Sequence, residues 1–423
     1  MSQSASGLRP DVQPQAPKRT LRLTRPMIYL GIAGFLVLFS LVRVLAGAGD
    51  LTSSGQIGAT LGLAVPIGMA GLGGLWAERA GIVNIGLEGM MILGTWGAGW
   101  AGYQWGGWAG VAAGVAFGAL GGLLHALTTV TFGVDHIVSG VAINILALGL
   151  AQYLSAVAFT GVRGGGPTQS PPVSPRIGTI TVPWLADALG DLEQKGWFLV
   201  SDLASILRGF TNQVSLLTVL AAALIPISYF VLWRTSFGLR LRSCGESPHA
   251  AESLGVNVYR MKYIAVIASG GFAGLGGAFL TIVAAGIYRE GQTGGRGYIG
   301  LAAMIFGNWR PGGLAAGAGL FGYTDALQLR GGGESVHALL LLIVMLVAGV
   351  AALNFVRGRM GAGLVSAVVG ALVLAWYLST DSVPGELTTI TPYFTTLLVL
   401  ALASQRLRMP AADGLVYRRG EAG

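Results

Sequence analysis

The sequence predicts an all-α membrane protein with about 10–12 transmembrane helices. Of its 423 residues, 53% are hydrophobic, and its mean hydropathy is +0.67. Only 10% of the residues are charged, whereas soluble domains carry about 25%. The chain has 69 glycines and 16 prolines, a composition typical of membrane helices that pack through small residues. This composition leaves no room for a large water-soluble domain.

Each predicted element is an apolar segment, because a helix needs about 20 apolar residues to cross a bilayer. The eighth and twelfth segments are short, and short spans are typical of broken or re-entrant helices that are buried in protein or line a cavity. The predicted segments are 27–47, 56–76, 82–102, 108–130, 137–160, 214–233, 263–286, 298–308, 312–329, 336–353, 362–379 and 392–404.

The basic residues predict the orientation. With both termini in the cytoplasm, most of the 26 Lys and Arg residues lie in cytoplasmic segments, as the positive-inside rule requires. Residues 1–26 are polar and Pro-rich, and the apolar segment after them is too long for a signal-peptide core. We therefore expect a disordered cytoplasmic tail at 1–26, a transmembrane domain at 27–404 and a second cytoplasmic tail at 405–423.

The long segment 161–213 is predicted to be external. After a Gly/Pro-rich start, Leu185, Leu189 and Leu192 recur at helical spacing close to Trp184. This pattern predicts a helix that lies at the membrane surface. Two interpretations stay open, a scaffold that caps the bundle and a docking surface for an external partner.

The segment 234–262 is predicted to be cytoplasmic and to contain a short helix over 248–254. Ser247 suits the N-cap, Pro248 the first helical position, and Gly255 the position just past the helix end. One interpretation is a solvated basic loop. The pattern favours the other, a compact knob that fits the groove of a partner.

Two pairs of similar segments indicate an inverted repeat. "IGLEGMMILG" at 85–94 is echoed by "IGLAAMIFG" at 299–307, and "GLGG" occurs at 71–74 and at 274–277. In the predicted topology the two copies of the longer segment run in opposite directions. Inverted repeats are typical of transporters, which bind substrate near the repeat interface. Ala302 occupies the place of Glu88, so only one half carries the carboxylate.

Three polar residues in apolar segments are candidates for the substrate path, Asn84, Glu88 and Asn144. A carboxylate near the bilayer centre costs about 2.5–3.5 kcal/mol, so Glu88 should face protein or water. Within a helix, Asn84 and Glu88 would lie on one face. Three roles stay open: contact with polar groups of a substrate, hydrogen bonds that hold neighbouring helices together, and proton coupling by Glu88.

Several other classes of function find no support. The net charge of +8 comes from basic residues at the ends of apolar segments, without the aromatic-interleaved patch that nucleic-acid binding would favour. Cys244 is the only cysteine, which excludes a disulfide within the chain and a multi-cysteine metal site. No lysine follows a glycine, so the chain has no phosphate-binding loop for ATP. We expect neither an enzyme nor a bound cofactor.

Three segments together resemble the permease subunits of ABC importers of the branched-chain amino acid and simple-sugar superfamily. They are "ERAGIVNIGLEGMM" at 78–91, "GLRLRSCGESPHAAESLGVNVYRMKY" at 238–263 and "GRGYIGLAAMIFGNWRPGG" at 295–313. The nucleoside-type branch, which works with basic-membrane-protein-like binding lipoproteins, is the most similar, and "PAADGLVYRRG" at 410–420 fits it as well. The chain departs from the family by an additional hairpin around 336–379.

The resemblance implies a function and a set of partners. It implies a cell-membrane permease that takes nucleosides from an external binding lipoprotein, powered by separate ATPase subunits and paired with a second, different permease. Import of a simple sugar is the alternative within the family, and a proton- or sodium-coupled carrier is the alternative outside it; a membrane scaffold or channel is a third. The knob resembles the helix that couples permeases to their ATPases, although His249 stands where the family commonly has Glu. The residues implied in coupling are Arg240, Arg242, Gly245, Glu246, Ser247, Pro248, His249, Ala250, Ala251 and Gly255.

Overall fold

The computed structural model describes residues 25–388, 390 and 407–420. These residues form a helical bundle with one small antiparallel ribbon, in which Thr179 pairs with Ser215. Most of the predicted tail at 1–26 and the whole predicted span 392–404 lie outside the described residues.

The first part of the chain contains seven helices and the first strand of the ribbon. They are α1 (Arg25–Ala46), α2 (Ser54–Arg79), α3 (Leu87–Trp105), α4 (Gly107–Ala126), α5 (His136–Phe159), β1 (Thr179–Ile180), α6 (Pro183–Gln194) and α7 (Val200–Thr211).

The second strand and eight further helices follow in the described residues. They are β2 (Val214–Ser215), α8 (Leu216–Arg234), α9 (Ser236–Glu246), α10 (Pro248–Ser253), α11 (Val258–Phe279), α12 (Arg296–Phe306), α13 (Pro311–Val356), α14 (Met360–Ser379) and α15 (Gly385–Thr388).

Eight helices of the described part are long and apolar enough to cross a membrane, which confirms the all-α polytopic class. They are α1, α2, α4, α5, α8, α11, α13 and α14, and π-helical turns extend α4 to Thr131 and α11 to Ala285. The predicted segments 312–329 and 336–353 correspond to the two helical parts of α13, which are separated by a kink at Gly332 (φ 54°, ψ −148°). α12 has 11 residues, too few to cross a bilayer.

Glycines bring the central helices into backbone contact. A Cβ on Gly118 of α4 would lie 2.3 Å from the carbonyl oxygen of Gly270 of α11, and a Cβ on Gly270 would lie equally close to that of Gly118. A larger residue would push these helices apart at either position. The many glycines therefore serve close helix packing, as the composition predicts.

α2 and α11 are antiparallel neighbours and define the two ends of the bundle. Gly73 meets the carbonyl of Ser269, whereas Gly276 meets that of Pro66. Each of these helices carries a "GLGG" segment and is followed by a non-helical break. The next helix, α3 or α12, begins within or just before the "IGL" of the repeat. The two halves thus have the same order of elements in opposite directions, in line with the predicted inverted repeat.

The first end of the bundle, here called the α7 end, carries the α6–α7 hairpin. The Ser54 N–H at the start of α2 donates to Glu193 of α6 at 2.9 Å. The carboxylate of Asp202 in α7 is buried and pairs with Arg43 of α1 at 2.7 Å, and it accepts hydrogen bonds from Ser40 and Thr52. α6 confirms the helix predicted from the spacing of the leucines, and Trp184 on it is exposed.

The opposite end, here called the α10 end, carries α9 and α10. Arg79 at the end of α2 lies 3.9 Å from Glu246 of α9. Because Arg43, near the last residue of α1, lies at the α7 end, α1 begins at the α10 end.

Candidate functional site

The carboxylate of Glu88 joins the two halves of the protein. Glu88 lies in the first turn of α3 and is 7% exposed. Its Oε1 accepts a hydrogen bond from the backbone N–H of Gly295 at 3.0 Å, and its Oε2 accepts one from Gly297 at 2.7 Å. These are among the first N–H groups of α12, which have no partner within that helix. A carboxylate also interacts favourably with the positive end of the helix dipole. Glu88 therefore caps α12.

The starts of α3 and α12 approach so closely that Gly297 has no room for a side chain. A Cβ on Gly297 would lie 2.6 Å from both the Cα and the N of Glu88. The contact is halfway along the bundle, since Gly300 of α12 packs on Ile67 and Gly71 near the middle of α2. Non-helical backbone at such a depth is tolerated only where it is buried in protein or lines a water-filled cavity.

The prediction that Asn84 and Glu88 share a helical face is wrong. α3 begins at Leu87, and Asn84 lies in the break between α2 and α3. Gly81, with φ +83°, turns the backbone away from the path of α2. The fully buried Asn84 instead donates from Nδ2 to the Ser269 hydroxyl of α11 at 2.8 Å, and its Oδ1 has no hydrogen-bond partner among the described residues. Asn84 thus fixes the break to α11.

Asn144 of α5 holds the start of α3. Its Oδ1 accepts a hydrogen bond from the Gly89 N–H at 2.7 Å, and its Nδ2 donates to the carbonyl of Ile85 at 3.1 Å and to the hydroxyl of Tyr298 at 2.9 Å. Tyr298 lies in the first turn of α12 and is 47% exposed.

The three path candidates therefore meet around the starts of α3 and α12, which we call the junction. Glu88 and Asn144 both make the backbone hydrogen bonds that the structural interpretation describes. Their role in a substrate path stays a prediction. Neither Ser269 nor Tyr298 is predicted as a site residue from the sequence. The "GRGYIG" stretch, a tyrosine among glycines at the start of a short apolar segment, was the available signal for Tyr298.

The short helix in the loop at the α10 end is present as predicted. α10 covers Pro248–Ser253, with Ser247 at the N-cap and Gly255 at φ +80° just past the end. The Ser247 side chain makes no capping hydrogen bond. The ring of His249 lies 5.2 Å from that of Tyr417. Of the two alanines in the helix, Ala251 is buried and Ala250 is exposed.

The remaining coupling candidates connect α10 to the bundle or face outwards. Arg242 donates to the carbonyl of Leu232 at 2.9 Å. Gly245 packs on the carbonyl of Arg79, from which a Cβ would be 2.3 Å away. Arg240 is exposed. The coupling candidates thus gather at the α10 end, whereas the path candidates lie halfway along the bundle.

The described residues contain no group of three or more His, Cys, Asp or Glu side chains that could hold a metal ion. Burial raises the pKa of the Cys244 thiol in α9 to about 11.

Residues 56–349 match the family described as branched-chain amino acid transport system / permease component. The chain belongs to this permease family, which confirms the resemblance seen in the sequence. With its membrane-spanning helices, it is a multi-pass protein of the plasma membrane.

Three curated relatives are similar to the chain over most of their length. The guanosine ABC transporter permease protein NupQ of Bacillus subtilis is 38% identical over 280 residues, which cover 64% of this chain and 81% of the relative. The nucleoside ABC transporter permease protein NupC of Lactococcus lactis is 36% identical, covering 63% and 80%. The putative glucose ABC transporter permease protein TsgC13 of Haloferax volcanii is 34% identical, covering 66% and 78%. No solved structure matches the chain significantly.

Proposed function

We propose that this chain is a permease subunit of an ATP-driven nucleoside importer. The observation that carries the proposal is its similarity to NupQ and NupC, named for guanosine and nucleoside transport, at 38% and 36% identity. The chain would form part of the path, while separate ATPase subunits bind and hydrolyse ATP. A second permease and an external binding lipoprotein complete the assembly we propose.

The proposed path passes the junction. Its supporting feature is a set of polar groups halfway along an apolar bundle, where unpaired polar groups are costly. The Tyr298 ring is exposed and its hydroxyl is held by Asn144, so the ring is available to a nucleobase, which stacks well on aromatic faces. The helix starts would be held in place by Glu88.

α10 supports ATP-driven transport over a proton-coupled carrier. It is a six-residue helix that projects at the α10 end, where an ATPase could dock, and a gradient-driven carrier needs no such element. Glu88 gives the proton-coupled alternative little support. Both of its oxygens accept backbone N–H groups, whereas a protonated carboxyl would turn its own hydrogen towards one of them.

In this proposal the α10 end faces the cytoplasm. Because α1 begins at that end and residues 407–420 lie there too, the two ends of the described chain are on the same side, as the basic residues predict. Attachment of a membrane-impermeant label to cysteines placed at Leu254 and at Trp184 tests this orientation. Labelling of intact cells should reach position 184 alone; labelling of 254 alone would reverse the orientation.

Reconstitution tests the function. The permease pair, its ATPase and its binding protein are placed in proteoliposomes, and uptake of radiolabelled guanosine and glucose is measured with and without ATP. We expect ATP-dependent guanosine uptake, which is lost when residues 248–253 are deleted. Glu334→Ala, at an exposed carboxylate in α13 away from α10, is the control and should retain uptake. Uptake of glucose alone, or uptake that survives the deletion, would contradict the proposal.

A further inference from the structure

Residues 407–420, here called the C-terminal segment, are fixed to the loop that carries α10. The Ala412 N–H donates to the carbonyl of Gly245 at 2.8 Å, and the Ala411 N–H donates to Glu246 Oε2 at 3.3 Å. Both acceptors lie directly before α10 in the chain. The segment therefore holds the base of α10 through its own backbone.

The end of the same segment packs on α10 itself. Arg419 Nε lies 3.2 Å from Glu252 Oε1 of α10. The buried ring of Tyr417 lies 5.2 Å from His249 of α10 and 5.6 Å from Tyr259 of α11, between centroids. Tyr417 thus fills the space between α10 and the first turn of α11.

The segment also reaches the break before α3 and the turn after α12. The Arg408 N–H donates to Asn308 Oδ1 at 2.7 Å, in the turn between α12 and α13. The Ala412 carbonyl oxygen lies 3.2 Å from where a Cβ on Gly81 would be, in the break between α2 and α3. One stretch of chain therefore contacts α10, the break before α3 and the turn after α12, so a displacement of α10 would pull on an element of each half.

An open groove of about 240 Å³ lies between α10, the start of α11 and the C-terminal segment. Leu254, at the end of α10, is 84% exposed. The α10 end of the bundle carries exposed arginines on three elements, with Arg240 on α9, Arg260 on α11 and Arg419 on the segment. A basic surface of this kind complements an acidic one on a partner. The groove is lined by Glu252, Gly255, Val256, Asn257, Val258, Tyr259, Tyr417 and Arg419.

We propose that α10 and the C-terminal segment form one docking surface, and that an acidic surface loop of the ATPase subunit occupies the groove between them. The segment completes this surface and carries movement of α10 to the break before α3 and to the turn after α12. The inference rests on the proposed function, since it requires an ATPase partner, and it goes further by assigning the C-terminal segment to the interface.

A charge exchange tests the contact between the segment and α10 without deleting any structure. Glu252→Arg and Arg419→Glu are each made alone and then together in the full complex. Binding of the purified ATPase to the permease pair is measured in nanodiscs. The number of ATP molecules hydrolysed per guanosine imported is measured in proteoliposomes. We expect each single change to weaken ATPase binding or raise the ATP cost of import by about fivefold or more, and the exchanged pair to recover most of the loss. Additive losses in the pair would overturn the inference.

Tyr417→Ala should weaken ATPase binding by at least about tenfold, whereas Tyr417→Phe, the matched control that keeps the ring, should stay within about threefold. Elution of each variant as one species in size-exclusion chromatography confirms folding. Should Tyr417→Ala not fold, the charge exchange alone decides. Normal binding and coupling in Tyr417→Ala would overturn this inference and leave the proposed function intact. A wild-type permease that binds no ATPase would overturn both.

Discussion

The two halves of the bundle use different chemical groups to accept the hydrogen bonds of their buried helix starts. Each contains a helix that starts in the middle of the bundle, α3 or α12, with N–H groups that need an acceptor. α12 receives both oxygens of a carboxylate, Glu88, while α3 receives the neutral amide oxygen of Asn144. Ala302, at the repeat position of Glu88, supplies no acceptor in return. The repeat therefore preserves the backbone arrangement and not the polar groups that satisfy it.

The charged cap, Glu88, also forms a contact between the two halves. Glu88 lies on α3 but caps α12, so its two hydrogen bonds form only when the two halves are in their present arrangement. Asn144 belongs to α5 and makes two backbone hydrogen bonds at the start of α3, in its own half, and its one bond to the other half is to the Tyr298 hydroxyl. We therefore expect loss of Glu88 to disturb the relation of the halves, and loss of Asn144 to disturb mainly the start of α3.

Replacement of Glu88 should have the largest effect. Glu88→Ala leaves the N–H groups of Gly295 and Gly297 without acceptors in a buried place, at roughly 1–3 kcal/mol for each group. Glu88→Gln retains one acceptor oxygen and should lose less. Thermal unfolding in detergent, followed by fluorescence-detected size exclusion, measures both. Glu334→Ala, at an exposed carboxylate in α13, is the control and should change little. Equal stability of wild type and Glu88→Ala would refute the capping role.

Gly297→Ala should come next, because it forces the halves apart without removing a polar group. The added Cβ would meet backbone atoms of Glu88 at 2.6 Å, and backbone yields less easily than a side chain. We expect a loss of about 1–3 kcal/mol, typical of overpacking. Gly312→Ala is matched to it, since a Cβ there meets nothing within 4 Å. The same thermal assay should separate the two variants, and comparable stability would contradict the close contact.

Asn144→Leu should have a smaller effect on stability, since it removes a neutral group whose one bond to the other half is to the hydroxyl of the partly exposed Tyr298. It removes the acceptor for Gly89 and a donor to Ile85, so we expect a loss of about 1–2 kcal/mol. Tyr298→Phe removes only the bond to a partly exposed hydroxyl and should leave stability within about 0.5 kcal/mol. If Tyr298 contacts the base, Tyr298→Ala should reduce guanosine uptake far more than Tyr298→Phe. Similar uptake by both variants would remove Tyr298 from the path.

The smallest effect concerns pH and a second buried carboxyl, Asp413 in the C-terminal segment. Burial raises its pKa from 3.8 to about 7. The groups that face it are Glu78 and Arg79 on α2 and Lys262 on α11. Asp413 therefore takes up its proton more readily in the folded protein than in the unfolded chain.

A folded-state pKa above the unfolded one means that the folded segment binds more protons. The packing of this segment on the helical bundle should therefore weaken as pH rises from about 4 to about 7, and stay at its weakest above that range. Hydrogen exchange of residues 410–417 at pH about 5.5 and about 8 measures this change. In the Asp413→Asn variant, residues 410–417 should exchange slowly at both pH values, because the asparagine side chain carries no charge. A wild-type segment that is better protected at the higher pH would contradict the sign.

The sequence predicted much of this architecture from local information. The apolar segments gave the helices, since only a long apolar helix suits a bilayer, and the pattern Ser247, Pro248 and Gly255 gave α10. The break before α3 was missed, because "GIVNIGLEG" is as apolar as the helix that follows it and its only local signal is Gly81. Gly332, which interrupts α13, falls between the predicted spans 312–329 and 336–353, so hydropathy located both helical parts of α13.

By itself, the sequence determined the class of protein, the repeat and the presence of polar residues in the middle of the bundle. These properties depend on composition and on short-range pattern. The tertiary structure alone decided which groups those residues contact. Glu88 meets N–H groups more than 200 positions further along the chain, and the C-terminal segment returns to a loop more than 160 positions before it. Such partners follow from the packing of helices through glycines, which no local pattern specifies.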